Sequence, residues 1–194
     1  MNFFIKVKRY LKYRWFRIKD NLRYKSFGKK SKIFRPLHIS GKSRISIGNN
    51  VYVYKGARIQ TIANWAGNGK FGELYIGNGT SIEQFCHIVA ADRIIIGDEC
   101  VFSAFVYISD CSHQFTPGVR IMDTELICKP VTIGKHCFIG IGSYILPGVN
   151  LGNNVVIGAN SVVTSDIPDD CMAVGSPAKV IKKWDYSQNC FVNI

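Results

Sequence analysis

The chain has no apolar run near the ~20 residues that a helix needs to cross a bilayer, so it offers no candidate transmembrane helix. Its basic N-terminus lacks a 7–15-residue apolar segment and a small-residue cleavage site, so no secretory signal is read. The cytoplasm is therefore the expected compartment. No C-x-x-C pair occurs among the seven cysteines, which excludes a zinc knuckle or a thioredoxin-like redox motif. Their odd number also argues against a disulfide framework. Acids are nearly missing from residues 1–44, where Asp20 stands alone against fifteen Lys/Arg, giving +14; residues 45–194 hold ten Lys/Arg and twelve acids, giving −2. The net +12 is thus a basic arm on a near-neutral body. Such an arm suits an anionic surface, while the body gives no reason to expect nucleic acid. Bulk disorder is excluded by 47% hydrophobic and 20% charged residues.

What is present is a repeat. Large apolar residues recur every six positions: Ile47, Val53, Ile59; Ile76, Ile82, Ile88; Ile96, Phe102, Ile108; then Ile133, Ile139, Ile145, Leu151, Ile157 and Val163 without a break. The residue two places earlier is usually small, as at Ala57, Thr80, Cys86, Cys100, Cys137, Ser143 and Ser161. Each triplet opens on an apolar residue followed by glycine, as in Ile76-Gly77, Ile96-Gly97 and Ile133-Gly134. Six residues make one short strand and a turn, and three such units make one turn of a triangular prism. About five coils at roughly 4.8 Å spacing are expected. Cys86, Cys100 and Cys137 fall in the small inward position and read as core.

Interruptions mark loops. Ala63–Lys70 has loop composition, and a long excursion spans about residues 110–129. Upstream, Phe4, Val7, Leu11, Trp15, Ile18 and Leu22 recur at three or four, with Lys and Arg between them. This spacing predicts a basic amphipathic helix, either lying in a membrane interface or packing on the body or a partner subunit. The expected division is a helical arm over 1–35, a β-helix over 36–183 and a tail over 184–194.

The Gly-x4-Ile periodicity, a loop histidine, Ile157-Gly-Ala-Asn-Ser-Val-Val-Thr164 and Gly175-Ser-Pro-Ala-Lys-Val-Ile181 resemble the hexapeptide-repeat acyltransferases. Within them the chain is most similar to bacterial O-acetyltransferases of lipopolysaccharide and capsule biosynthesis, and more distantly to galactoside and maltose acetyltransferases. The resemblance implies an all-β fold, a left-handed parallel β-helix, a homotrimer, and acetyl-CoA bound between neighbouring subunits without a metal.

It also implies site residues. His113 stands where the family's catalytic histidine does, at the mouth of the long loop. A sugar hydroxyl needs a base as it attacks a thioester, and an imidazole suits that work. Relatives often read Asp-His-x-His where this chain has Asp110-Cys111-Ser112-His113. Glu83, thirty residues before His113, matches an acceptor-binding position. Asp110 and His87 are further candidates for binding the acceptor or orienting the imidazole. Cys111 raises a rival route through an acetyl-cysteine. For the coenzyme the resemblance points to Phe138, Gly140, Ile141, Gly142, Gly158, Ala159 and Thr164, with Lys179 and Lys182 near the 3′-phosphate. Phe138 replaces the tryptophan of many relatives, and Ser165 replaces a lysine.

The expected activity is acetyl transfer to a sugar hydroxyl of a surface polysaccharide or its precursor. The alternatives are an N-acetyltransferase of an amino-sugar nucleotide, and an acetyltransferase of a small sugar or antibiotic. A zinc β-helix enzyme needs three converging imidazoles, and His38, His87, His113 and His136 include no close pair. A non-catalytic membrane scaffold would not need the loop histidine or the basic C-terminal segment. Residues 1–30 would provide any contact with an anionic inner membrane surface.

Overall fold

The computed structural model describes residues 21–65 and 69–194. The first coil is β1 (Ser26–Phe27), β2 (Lys32–Ile33) and β3 (His38–Ser40), and the second is β4 (Ile45–Ile47), β5 (Tyr52–Val53) and β6 (Arg58–Thr61). The third is β7 (Glu73–Ile76), β8 (Ser81–Ile82) and β9 (His87–Ala90), and the fourth is β10 (Arg93–Ile96), β11 (Val101–Phe102) and β12 (Tyr107–Ser109). A side hairpin follows, β13 (Cys111–His113) and β14 (Leu126–Cys128). The fifth coil is β15 (Val131–Ile133), β16 (Phe138–Ile139) and β17 (Tyr144–Ile145), and the sixth is β18 (Asn150–Leu151), β19 (Val156–Ile157) and β20 (Val162–Val163). The chain ends on β21 (Cys171–Gly175), β22 (Ala178–Asp185) and β23 (Cys190–Asn193).

Strands three apart in sequence, or five apart across the hairpin, pair in parallel, which makes three flat faces. The first runs β1-β4-β7-β10-β15-β18, the second β2-β5-β8-β11-β16-β19 and on to β21-β22-β23, and the third β3-β6-β9-β12-β17-β20. The six-residue series points inward throughout: Ile76, Ile82, Phe102, Ile108, Ile139, Ile145 and Ile157 are wholly buried. Glycine follows the first inward residue because the coils meet there: a Cβ on Gly77 would stand 2.4 Å from the Gly97 carbonyl carbon. The small position has its own use at the edge between the first and second faces. Its hydroxyl or thiol donates to the glycine carbonyl of the next coil, from Thr80 to Gly97 at 3.0 Å, Cys100 to Gly134 at 3.1 Å and Cys137 to Gly152 at 3.1 Å. Each removes a buried orphan carbonyl.

The boundaries differ from those expected. Six coils form, because Phe27, Ile33 and Ile39 already pack against the core. Residues 26–35 therefore belong to the prism rather than to a helical arm. Of the arm's remaining residues, 21–25 are described and include the buried Tyr24, while 1–20 lie outside the described residues. Residues 184–194 are not a loose tail: β23 pairs with β22, and Trp184 meets Phe191 edge-on at 5.1 Å. The excursion at 110–129 is an antiparallel hairpin with a 3-10 turn at Ile121–Asp123. Among the described residues no helix is long and apolar enough to cross a membrane.

Candidate active site

The hairpin leaves the prism at the edge between the third and first faces. Its root is Asp110, which is fully buried. The Asp110 carboxylate accepts the amides of Ala91 at 2.7 Å and Asp92 at 2.8 Å, at the same edge one coil below. Burial raises its pKa above the ordinary carboxylate value, and those amides pull it back down. The expectation that Asp110 binds an acceptor or orients the imidazole is thus corrected. It is enclosed, and its oxygens serve to anchor the hairpin.

His113 lies opposite Leu126 in the hairpin and is half-buried. Its Nδ1 is enclosed with no hydrogen-bond partner among the described residues. Leaving such a group unpaired costs about 1–3 kcal/mol. Trp65, from the loop between β6 and β7, meets the imidazole edge-on with ring centroids 5.2 Å apart. The Trp65 Nε1–H donates to the Thr124 carbonyl at 3.1 Å, crossing to the far arm of the hairpin. The local sequence around Trp65 signals no role beyond an indole placed in a polar loop.

Cys111 faces Cys128 across the hairpin. Burial pushes the Cys111 thiol up to about 11, opposed by its contact with Ser109. Little thiolate exists near neutrality, which weighs against the acetyl-cysteine route. His87 is on the outer side of β9, edge-on to Tyr107 at 5.2 Å, with its Nε2 enclosed and unpartnered among the described residues. Burial, and then the charge of Arg58, lower its pKa. Glu83 follows β8 at the edge between the second and third faces and accepts from the Ser81 hydroxyl at 3.1 Å. In one chain Glu83 lies at the opposite edge of the third face from His113 and its hairpin, and His87 sits on the third face itself.

Apart from Thr164, the residues expected to hold the coenzyme cluster on the second face and its edge with the third. Phe138, Val156, Met172 and Lys182 are successive register partners across β16, β19, β21 and β22. Lys179 and Lys182 are three apart, which on a regular strand would set them on opposite sides. The register shift pairs Ala173 with Val180 and Met172 with Lys182, leaving Ile181 as a bulge. Both lysines therefore face outward with Val174 and Met172. At the edge, the amides of Gly140, Gly142 and Gly158 already bond to Ile157, Ala104 and Ala173. The exposed Ile141 and Ala159, one coil apart, keep amides without a partner among the described residues. Free amides above an exposed phenyl ring, with two lysines beyond, fit an amide-bearing chain that ends in phosphate. Thr164 is exposed after β20, at the edge between the third and first faces. Among the described residues no group of three His, Cys, Asp or Glu could hold a metal.

The hexapeptide repeat of succinyl-transferase matches residues 130–165. The chain is 32% identical over 166 residues to dTDP-4-amino-4,6-dideoxy-D-glucose acyltransferase of Escherichia coli, covering 82% of each chain. It is 28% identical over 178 residues to WbbJ of Escherichia coli K12, named as a candidate lipopolysaccharide biosynthesis O-acetyl transferase, covering 87% of each. Among solved structures it resembles a galactoside acetyltransferase in complex with coenzyme A, with a TM-score of 0.62, 28% identity, and 80% and 68% of the two chains covered. The prism is thus the left-handed parallel β-helix. The chain belongs to the hexapeptide-repeat acyltransferases and is an acyltransferase that draws its acyl group from a coenzyme A thioester.

Proposed function

We propose that the protein moves an acetyl group from acetyl-CoA to a sugar hydroxyl of a bacterial surface polysaccharide or its precursor, with His113 as general base. The observation that carries this reading is the His113 imidazole, held in the side hairpin against the indole of Trp65. Bound acetyl-CoA supplies the activated carbonyl. His113 takes the acceptor hydroxyl proton as that oxygen attacks, and an imidazole can return the proton to the departing sulfur. The unpartnered amides of Ile141 and Ala159 are suited to hold coenzyme carbonyls or the charge that develops on the thioester oxygen.

In one chain His113 occupies one edge of the third face, and Glu83 with the Phe138–Ala159 strip occupies the opposite edge. The reading therefore places the site between His113 of one subunit and the coenzyme strip of its neighbour in a homotrimer. Glu83 of that neighbour is then the candidate for binding the acceptor hydroxyl. Mass spectrometry of the surface glycan with and without this protein tests the reading. An unchanged acetyl content removes it.

A second reading is transfer to the amine of an amino-sugar nucleotide. It is favoured by the relative of that activity, which is 32% identical over most of both chains. Assay with matched hydroxyl- and amino-sugar acceptors separates the two.

A further inference from the structure

A cleft of about 290 Å³ opens on the first face, lined by Lys25, Arg44, Glu73, Tyr75, Arg93 and Ile95 among others. It belongs to none of the residues assigned above. We propose that it binds the diphosphate through which a sugar acceptor is carried; this rests on the acyl-transfer reading and names its acceptor class.

Charge comes first. Three cations face one carboxylate, and Lys25 takes that carboxylate, with its Nζ 2.6 Å from Glu73 Oε1. Lys25 accordingly holds the Glu73 carboxyl below its usual range. Among the described residues no acid lies within 4.0 Å of the Arg44 or Arg93 guanidinium. Two positive charges are left over, both on the side chain best suited to phosphate oxygens.

Placement comes next. Arg93 is the register partner of Glu73, and Arg44 immediately precedes Ile45, the partner of Leu74. Arg44, Glu73 and Arg93 thus form a row across three adjacent strands. Their backbones span roughly 10 Å, a gap that two arginine side chains can close around a diphosphate. Arg44 is held in advance: its Nε donates to the Gly72 carbonyl at 3.2 Å and its Nη2 to the Thr61 carbonyl at 2.9 Å. Beside the row, Ser46, Tyr75 and Ile95 are outward partners on β4, β7 and β10. They give a partly apolar floor for a ring next to an anion. The volume lies at the small end of ligand pockets, so the cleft holds a diphosphate and part of a ring rather than a whole substrate.

The cleft also lies near His113. Its cationic row is at the edge between the third and first faces, where the hairpin leaves, with Arg93 about one coil, Glu73 two and Arg44 three coils below it, or roughly 5–15 Å. The carbonyls that Arg44 grips are the two ends of the loop that carries Trp65 to His113. The amides that Asp110 grips belong to Ala91 and Asp92, directly before Arg93. An acceptor held by its diphosphate here can direct its sugar toward the imidazole.

The test is calorimetry on the full-length protein at low salt, with coenzyme A saturating so that its own phosphates do not compete. Inorganic pyrophosphate should bind, and inorganic phosphate at least tenfold more weakly. Arg93→Glu should weaken pyrophosphate by roughly 10–100-fold and Arg93→Lys by less, with coenzyme affinity and melting temperature unchanged. Comparing dTDP with a polyprenyl diphosphate in detergent then tells a nucleotide-linked from a lipid-linked acceptor, and tighter binding of either supports the cleft. No pyrophosphate binding beside coenzyme A, equal affinity for monophosphate, or an indifferent Arg93→Glu overturns it. His113→Ala should leave pyrophosphate binding intact, so failure of the catalytic reading remains distinguishable from failure of this one.

Discussion

The indole of Trp65 and the imidazole of His113 meet edge to face, with their planes at 73° and centroids 5.2 Å apart. The two residues come from separate loops, and the indole N–H bonds to Thr124 beyond the imidazole. One side chain thus fixes both arms of the hairpin and the ring between them. Trp65 is a positioning residue, since it acts through His113. Trp65→Ala should lower kcat by about 10–100-fold while the KM for acetyl-CoA changes little, because misplacing a base by about an ångström costs that much. Trp65→Phe, which keeps a ring edge and loses the hydrogen bond, should recover part of the rate. Steady-state kinetics decides, and a purely structural role would lower the melting temperature without this split.

His113→Ala should lower kcat at least ~100-fold, the usual scale for loss of a general base. Coenzyme A binding by calorimetry should survive, since the strip from Phe138 to Lys182 is on another face. Normal turnover by this variant would end the assignment of His113.

Cys111→Ala should be nearly silent. Its thiol is pushed up to about 11 by burial, so near pH 7 only about one molecule in 10⁴ carries a thiolate. Trapping an acetyl-thioester on Cys111 of the wild type would replace direct transfer by a two-step route.

Lys179→Ala with Lys182→Ala should weaken coenzyme A more than dephospho-coenzyme A. The bulge at Ile181 turns both ammonium groups to one side of β22, where each could reach a 3′-phosphate. Charge-assisted contacts contribute roughly 1.5–3 kcal/mol each, so the difference should exceed tenfold. Equal losses for the two ligands would place these lysines outside the phosphate site.

Most of the prism was legible because one physical rule, a large residue inward every sixth position, acts on every strand. The first coil carries the same mark, Phe27-Gly28 with Ile33 and Ile39. It was hidden under the basic charge and helical spacing just upstream, and parallel pairing with β4 and β5 settles it. Asp110 shows the opposite error. An acid beside a catalytic loop reads as a ligand for substrate, and only its burial reveals that backbone amides consume both oxygens. Trp65 was illegible for another reason: no local period encodes a contact between two loops. The cleft around Arg44 and Arg93 likewise exists only once three strands stand side by side.

The last prediction concerns the basic N-terminus, and the first coil sets where it can be cut. Residues 1–20 hold seven Lys/Arg and one acid, a formal +6, with Phe4, Leu11, Trp15 and Ile18 at helical spacing. Each basic residue near an anionic surface gains about 1 kcal/mol, and an apolar stripe adds burial. Full-length protein should therefore bind anionic vesicles and release them as salt rises. Removing residues 1–20 should abolish that binding and leave acetyl-CoA affinity intact. Removing residues 1–35 is a different experiment. It strips β1 and β2 from the prism and uncovers Ile45, Ile47, Val51 and Val53, each now at most 3% exposed. Uncovering core side chains at about 1.5–3 kcal/mol apiece should lower the melting temperature or cause aggregation. Vesicle co-sedimentation at several salt concentrations, with thermal melts of both truncations, checks the pair. If the full-length protein ignores anionic vesicles at low salt, the membrane role falls and a soluble acceptor becomes the better-supported substrate.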